Sequence, residues 1–248
     1  MFEYDKSKIE EYEFYEYGRK AKIEYMLGRF GADNFYVAYS GGKDSNVLSY
    51  LIDLAVPGNK IPRVYCDTGI ELNAVRDFVV ERQKTDSRIH LIQPSMNIKE
   101  VLEKYGYPFK SKQHAQIVGI FQRSGYTKTV RRYLGLEEGF RNARYRCPKI
   151  LECQFKEGSA LKISDKCCLY LKEKPLNKWK DKMNFPYRIV GLRHDEGGRR
   201  KSALCTVFNK KTGDLKSFAP LVEATDDWEN YFIEKYSIKL PIRLLSTI

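Results

Sequence analysis

The sequence predicts an α/β fold: a parallel sheet flanked by helices, interrupted by a basic, cysteine-containing helical insertion. Three observations carry this expectation. Short apolar runs alternate with amphipathic stretches of helical length, the pattern of βαβ units. One apolar run, FYVAY at 35–39, leads directly into the glycine turn SGGKDS at 40–45 and then a helix-like segment. Between residues 97 and 185 the rhythm stops, the charge turns positive, and four of the six cysteines appear.

Residues 4–29 interleave charge with Tyr, Ile, Met and Leu at helical spacing, and Gly31 is a natural terminator. FYVAYS reads as a buried strand, followed by a helix from about Ser45 to Ala55 that Pro57 and Gly58 end. RVYCDTG at 63–69 is a second strand with its turn, ELNAVRDFVVERQ at 71–83 an amphipathic helix, and RIHLIQ at 88–93 a third strand. After the insertion, YRIVGLR at 187–193 restores an apolar strand. CTVFNKKTGDLKSFAPL at 205–221 reads as a hairpin turning near Thr212, Gly213 and Asp214. ATDDWENYFIEKY then forms a helix, with Thr225 or Asp226 as its N-cap.

This partition describes a single domain over 1–248. It comprises an N-terminal helix (1–30), an α/β core (31–96 and 186–222), a basic lobe with the cysteines (97–185) and a C-terminal helix (223–248). The longest apolar runs fall far short of the ~20 residues that span a bilayer, and the acidic, aromatic start MFEYDKSKIEEYEFYEY is neither a secretory nor a transit signal. A cytoplasmic location with no membrane partner follows as the expectation. The formal net charge is +12, and residues 101–200 hold 23 Lys and Arg against 10 Asp and Glu, whereas the first hundred residues hold 14 against 16. So uneven a distribution points to an anionic partner: nucleotide, sulfate or nucleic acid.

A turn between a strand and a helix N-terminus offers unpaired amides and the positive end of the helix dipole to an anion. Gly41 and Gly42 leave room for close approach, Ser40 and Ser45 add hydroxyl donors, and Lys43 adds a compact cation. The spacing is not GxxxxGK[ST], so this is not a Walker loop.

YSGGKDSNVL resembles the PP-loop of ATP pyrophosphatases. RVYCDTGIELNAVRDFV, YGYPFKSKQHA, DKCCLYLKEKPL and GLRHDEGGRRKSALC resemble successive blocks of the phosphoadenosine phosphosulfate reductase family, particularly phage and bacterial members of unassigned substrate. The resemblance spans about residues 35–240. It implies a Rossmann-like adenine nucleotide α-hydrolase (HUP) fold, with Ser40, Gly41, Gly42, Lys43, Asp44 and Ser45 around phosphate or sulfate oxygens. It also places Asp67, Thr68 and Gly69 at the carboxyl end of the second strand, where ligands of open α/β sheets bind. Asp67 would orient Mg²⁺ or a ribose hydroxyl, or simply cap a turn. Gly191 and Arg193 would face the nucleotide, with Arg199, Arg200 and Lys112 binding the substrate anion; Lys43, Asp44, Arg193 and Arg199 are the expected catalytic set.

Five of the cysteines lie within residues 147–205, which in a chain without a signal peptide favours metal or redox chemistry over disulfides. By the resemblance, Cys167 and Cys168 would supply two ligands of a [4Fe–4S] cluster. No CxxC is present; the other two ligands could be drawn from Cys147, Cys153 and Cys205, with Cys153 and Cys205 the chosen pair, and zinc or a set of reduced, buried thiols are the alternatives. Cys66, inside a strand, reads as a small core residue.

Three functions stay open at this level. The first is ATP-dependent adenylylation with pyrophosphate release, coupled to sulfur transfer from a donor or partner protein, with nucleic acid as a candidate acceptor. The second is reduction of an adenylyl sulfate, for which no ECG-type terminal cysteine is visible. The third is nucleotide binding without turnover in an accessory role.

Overall fold

The computed structural model describes residues 2–140, 145–156, 158 and 161–241. The side chain of Arg199 also lies outside the description. The chain divides into two compact units. The first comprises Met1–Asp67, Glu71–Ile92 and Leu176–Ile248, and the second Thr68–Ile70 and Gln93–Pro175.

The first unit holds a six-stranded sheet: β1 (Phe35–Tyr39), β2 (Arg63–Cys66), β3 (Ile89–Ile92), β4 (Tyr187–Val190), β5 (Thr206–Phe208) and β6 (Leu215–Phe218). Their order is β3-β2-β1-β4-β6-β5. All neighbours run parallel except β5, which pairs antiparallel with β6 as the hairpin pattern predicts. Sequence order therefore runs outward from β1 in one direction through β2 and β3, and in the other through β4. The switch point lies between β1 and β4, the place where an open α/β sheet leaves a crevice at its carboxyl edge.

Alternation along β1 shows how the sheet is covered on both faces. Phe35, Val37 and Tyr39 enter a core shared with α1 (Ile9–Phe30), α2 (Lys43–Ala55) and α9 (Asp226–Lys235). Tyr36 points the other way, with its ring 5.7 Å from that of Trp179 in α8 (Lys174–Met183). The helix α3 (Asn73–Gln83) leads into β3. Opposite the carboxyl edge, buried Arg63 bonds Asp53 at 2.7 Å, and Arg88 reaches the same carboxylate at 2.7 Å, tying the starts of β2 and β3 to α2.

The second unit contains α4 (Ile98–Tyr105), α5 (Lys112–Ser124), α6 (Lys128–Leu134) and α7 (Lys166–Cys168), the last followed by a turn of π-helix over Leu169–Glu173. Its core forms around Ala115, Val118, Phe121, Val130 and Phe155. Asn97 and Glu100 close a capping box at α4.

Element boundaries differ from expectation in three places. The N-terminal helix starts at Ile9 and not near residue 4, and it stops as expected at Gly31, whose φ of 78° favours glycine. The C-terminal helix spans Asp226–Lys235, capped by Thr225 through its bond from the Trp228 amide, and residues 242–248 lie outside the described residues. The helix expected from Ser45 begins at Lys43, so Lys43, Asp44 and Ser45 form a first helical turn. Among the described residues, no helix is long and apolar enough to cross a membrane.

Candidate functional site

The turn Ser40–Gly42 joins the carboxyl end of β1 to the N-terminus of α2. Gly41 has φ +73°, and a Cβ there would sit 2.6 Å from Val79 Cγ2 and 2.9 Å from Val75 Cγ1 of α3. The turn is pressed against that helix, and only glycine satisfies both the conformation and the space. The Gly42 amide donates to Ser40 Oγ at 3.3 Å, Ser40 Oγ to Ser45 Oγ at 3.1 Å, and Ser45 Oγ to the Gly42 carbonyl at 2.9 Å. The first-turn amides of α2 have no carbonyl one turn earlier to bond, which leaves them directed at the turn's open side.

Asn46, which sequence reasoning did not single out, holds this turn from beneath. Its buried amide donates to the Gly41 carbonyl at 2.8 Å and the Gly42 carbonyl at 2.9 Å. Its Oδ1 accepts from the Tyr39 hydroxyl at 2.6 Å and from an Arg82 NH at 2.6 Å. No sequence signal marked it, since at 100° per residue it shares its face of α2 with Ser49, Tyr50 and Asp53 and reads as a solvent-facing polar residue.

A charged cluster surrounds the start of α2. Arg193, at the end of the β4 segment and 4% exposed, reaches Asp44 Oδ1 at 3.2 Å, Asp226 at 2.9 Å and Glu229 at 3.3 Å. Lys43 Nζ lies 3.0 Å from Asp226 and 3.2 Å from Glu229. Sequence reasoning identified the two cations and Asp44 but not the two carboxylates of α9, which come from about 180 residues later. Glu229 is wholly buried; burial, reinforced by the nearby Asp44 carboxylate, pushes its carboxyl up to about 8 despite the two cations. Burial also works against ionisation of Asp226, but hydrogen bonds from Lys43 and Arg193 outweigh it and hold its carboxyl below the ordinary value.

A cavity of about 300 Å³ opens at this point, lined by Ser40, Lys43, Asp44, Gly191, Glu196 and Arg200 among others. It lies between the carboxyl ends of β1 and β4, at the topological switch point. Gly191 is required for the closeness of its walls, since a Cβ there would meet the Asp44 carbonyl oxygen at 3.0 Å. Arg200 enters the cavity paired with Glu196. Larger cavities exist, of about 880 Å³ between α8 and the β5–β6 hairpin and about 580 Å³ in the second unit. The chemistry favours the smaller one, which of these three combines a glycine turn, a helix N-terminus and hydroxyl donors.

The other expected residues are distributed more widely. Asp67, at the end of β2, pairs with Arg76 at 2.9 Å. Thr68 is buried and Gly69 has φ +74°. His194 bonds the Ala203 carbonyl at 2.9 Å. Lys112 opens α5 in the second unit, 3.3 Å from Glu173. The Arg199 side chain is outside the described residues.

Cys66 is buried at the end of β2, and Cys205, half-buried in the first unit, has its thiol pushed up by burial. Cys147, Cys153, Cys167 and Cys168 belong to the second unit. Burial pushes the Cys147 thiol up to about 11, and burial with the neighbouring Cys168 raises that of Cys167. Among the described residues, no group of three or more His, Cys, Asp or Glu side chains is placed to hold a metal ion. The thiolate donor set that a [4Fe–4S] cluster or a cysteine zinc site needs is therefore not assembled by these residues.

Comparison with known proteins agrees with the fold and matches a family profile over part of the chain. Residues 34–141 match the profile of the phosphoadenosine phosphosulfate reductase domain. No curated protein sequence matches the chain. Among solved structures, the chain is similar to phosphoadenylyl-sulfate (PAPS) reductase from Candida auris, determined as a phosphate complex. The identity is 13% and the TM-score 0.51, covering 90% of this chain and 83% of that one. It is also similar to the U34-tRNA thiolase NcsA from Methanococcus maripaludis, determined with its [4Fe–4S] cluster. There the identity is 18% and the TM-score 0.44, covering 92% of this chain and 66% of that one. The resemblance read from the motifs holds for residues 34–141, and the six-stranded α/β sheet is that of the reductase fold.

Proposed function

We propose that this chain, which carries a phosphoadenosine phosphosulfate reductase domain over residues 34–141, binds an adenine nucleotide at the β1–α2 turn and cleaves ATP between its α and β phosphates. An acceptor oxygen attacks the α-phosphorus, the bond to the bridging oxygen breaks, and pyrophosphate leaves as the adenylyl group is transferred. A sulfur nucleophile from a donor or partner protein then displaces AMP from the activated acceptor. The observation that carries the reading is the coincidence of the SGGKDS turn, two clustered cations and a cavity at the β1/β4 switch point.

Each residue has a physical task in this reading. The first-turn amides of α2, with Ser40 and Ser45, bind the leaving pyrophosphate, where negative charge accumulates. Lys43 and Arg193 place fixed positive charge beside it, and Arg200 offers a planar fork to a second oxyanion. Asp44 and Glu196 are carboxylates at the cavity, a donor set that fits Mg²⁺ arriving with the nucleotide, since that ion typically takes one or two carboxylates plus phosphate oxygens. Bound there, it would neutralise phosphate charge. Asp67, just past the end of β2, would orient a ribose hydroxyl.

The basic second unit supports nucleic acid as the acceptor. Residues 93–175 hold 17 Lys and Arg against 8 Asp and Glu. The cavity of about 580 Å³ in this unit is lined by Arg123, Lys156 and Lys162 together with Tyr105 and Tyr126, a combination suited to phosphates and unstacked bases. Binding to RNA or DNA should then weaken steeply with salt as counterions are released.

The matched domain itself supports a second reading, reduction of an adenylyl sulfate. That reaction needs a thiolate at the sulfonyl sulfur, which would have to be brought to the loop cavity by a cysteine outside its lining. Product analysis separates the readings. AMP and pyrophosphate from ATP and a nucleic-acid acceptor, lost in Lys43→Ala, is the expected result. Sulfite released from adenylyl sulfate or its 3′-phosphate would establish the reductase reading instead, and nucleotide binding without either product an accessory role.

A further inference from the structure

The helix α3 backs the turn between β1 and α2. Val75, Phe78, Val79 and Arg82 follow the i, i+3, i+4, i+7 spacing of a single helix face. Val75 and Val79 are the residues that a Cβ at Gly41 would strike. Arg82 is half-buried, its guanidinium carbon 5.8 Å from the centre of the Phe78 ring and 6.0 Å from that of Tyr39. The two rings restrict where that cation can point.

Its hydrogen-bond partners set it apart from the other arginines of this unit. Arg63 and Arg88 bond Asp53, and Arg76 pairs with Asp67. Among the described residues, the Arg82 guanidinium pairs with no carboxylate; it donates to Asn46 Oδ1 at 2.6 Å and to the Tyr39 hydroxyl at 3.2 Å. A positive charge directed at a neutral amide makes that bond charge-assisted and polarises the amide. The far end of the same amide is the Asn46 NH2 group, which donates to the Gly41 and Gly42 carbonyls at 2.8 and 2.9 Å. Each carbonyl shares a planar peptide group with the amide of the next residue, Gly41 with Gly42 and Gly42 with Lys43. Electron density drawn toward these oxygens leaves the Gly42 and Lys43 N–H groups better donors to an anion. The guanidinium only donates and the carbonyls only accept, so the Asn46 side chain is locked in one orientation from both ends. The Tyr39 hydroxyl, which donates or accepts, fits either orientation and supplies no such lock.

We propose that Arg82 is a positioning residue of this turn: it fixes Asn46 and, through the chain Arg82–Asn46–Gly41/Gly42, strengthens the Gly42 and Lys43 amides as donors to bound phosphate. The proposal rests on the reading of the turn as the nucleotide's phosphate site. It assigns that site a cation that lies outside the lining of the loop cavity.

Three variants test it by calorimetric titration with ATP and Mg²⁺ and with inorganic pyrophosphate, and by amide proton and nitrogen NMR of the ligand-free protein. Arg82→Met leaves Tyr39 to donate to Asn46 Oδ1, so no buried acceptor is orphaned and the fold is retained. Its affinity for both ligands should fall about tenfold or more, the loss expected for a charge-assisted hydrogen bond. The Gly42 and Lys43 amide protons should move upfield in the same variant. Arg82→Lys, which keeps a cationic donor, should recover part of the affinity and part of the shift. Lys84→Met removes an equal charge two residues on, where the ammonium pairs with Glu81 at 2.6 Å, and should change neither quantity. Wild-type affinity in Arg82→Met, unmoved Gly42 and Lys43 signals, or an equal loss in Lys84→Met would each overturn the proposal. A wild-type chain that binds neither ligand would contradict the phosphate-site reading instead, and the amide signals of the free protein would then decide the role of Arg82.

Discussion

Replacing Asn46 with alanine is expected to destabilise the protein by about 3–5 kcal/mol and to abolish nucleotide binding in the fraction that remains folded. The side chain is buried and makes four hydrogen bonds, two to the Gly41 and Gly42 carbonyls and two from Tyr39 and Arg82. Each buried partner left without a bond costs about 1–3 kcal/mol, and the cavity left by the amide adds to that. Functionally, the loss falls on the turn, because the two carbonyls that Asn46 holds down define the direction of the first-turn amides. Asn46→Asp separates the two effects. It keeps an acceptor for Tyr39 and Arg82 but sets a carboxylate against two carbonyl oxygens, so the turn should be disrupted more than the fold. Urea unfolding together with calorimetric titration of ATP reads both quantities. An Asn46→Ala chain of wild-type stability and affinity would show that the turn does not depend on this residue.

Glu229 should make both stability and anion affinity depend on pH. Its carboxyl stands at about 8 in the folded protein against an ordinary value of 4.5, so between those values the native state binds a proton that the unfolded chain has released. Unfolding free energy therefore falls as pH rises from about 4.5 to about 8 and levels off above, an effect on the order of 2–4 kcal/mol. Glu229→Gln removes that slope because the amide does not titrate. The same variant should flatten the pH dependence of ATP binding. A bound polyphosphate beside Glu229 raises its carboxyl further, so wild-type affinity falls by up to about tenfold per pH unit above 8, as Asp44, Asp226 and the ionised Glu229 compete with the ligand for Lys43 and Arg193. Equilibrium unfolding and ATP titrations from pH 5 to 9.5 check this, and identical profiles for the two proteins would remove Glu229 from the account.

Much of this site was legible because its signals are local. FYVAY followed by SGGKDS places a strand, a turn and a helix within a dozen residues, and the glycine requirement of Gly41 follows from a positive φ that no other residue adopts cheaply. Arg193 was legible as an arginine at the end of an apolar strand, and Thr225 as a capping residue ahead of an acidic first turn. The carboxylates facing Lys43 were not legible. Asp226 reads as a helix-dipole acid in the first turn of α9, and only the pairing of α9 with α2 brings it to the loop. Glu229 did carry a trace: at 100° per residue it falls on the stripe of Phe232, Ile233 and Tyr236, where an exposed acid is out of place. The start of α2 was placed two residues late because Lys43 and Asp44 look like loop residues until the dipole at the helix N-terminus is considered. The cysteines were the least legible feature, since neither spacing nor composition says which thiols are brought together by the chain's path.

The most direct test of the account is equilibrium binding of ATP with Mg²⁺ by isothermal titration calorimetry, comparing the wild-type chain with Lys43→Ala and with Lys60→Ala. Lys43 lines the cavity at the β1/β4 switch point, whereas Lys60 is exposed in the same unit, ahead of β2 at the sheet's amino edge. The account predicts one site per chain, lost in Lys43→Ala and retained in Lys60→Ala. Binding that persists without Lys43, or no binding of ATP to the wild-type chain, would contradict it.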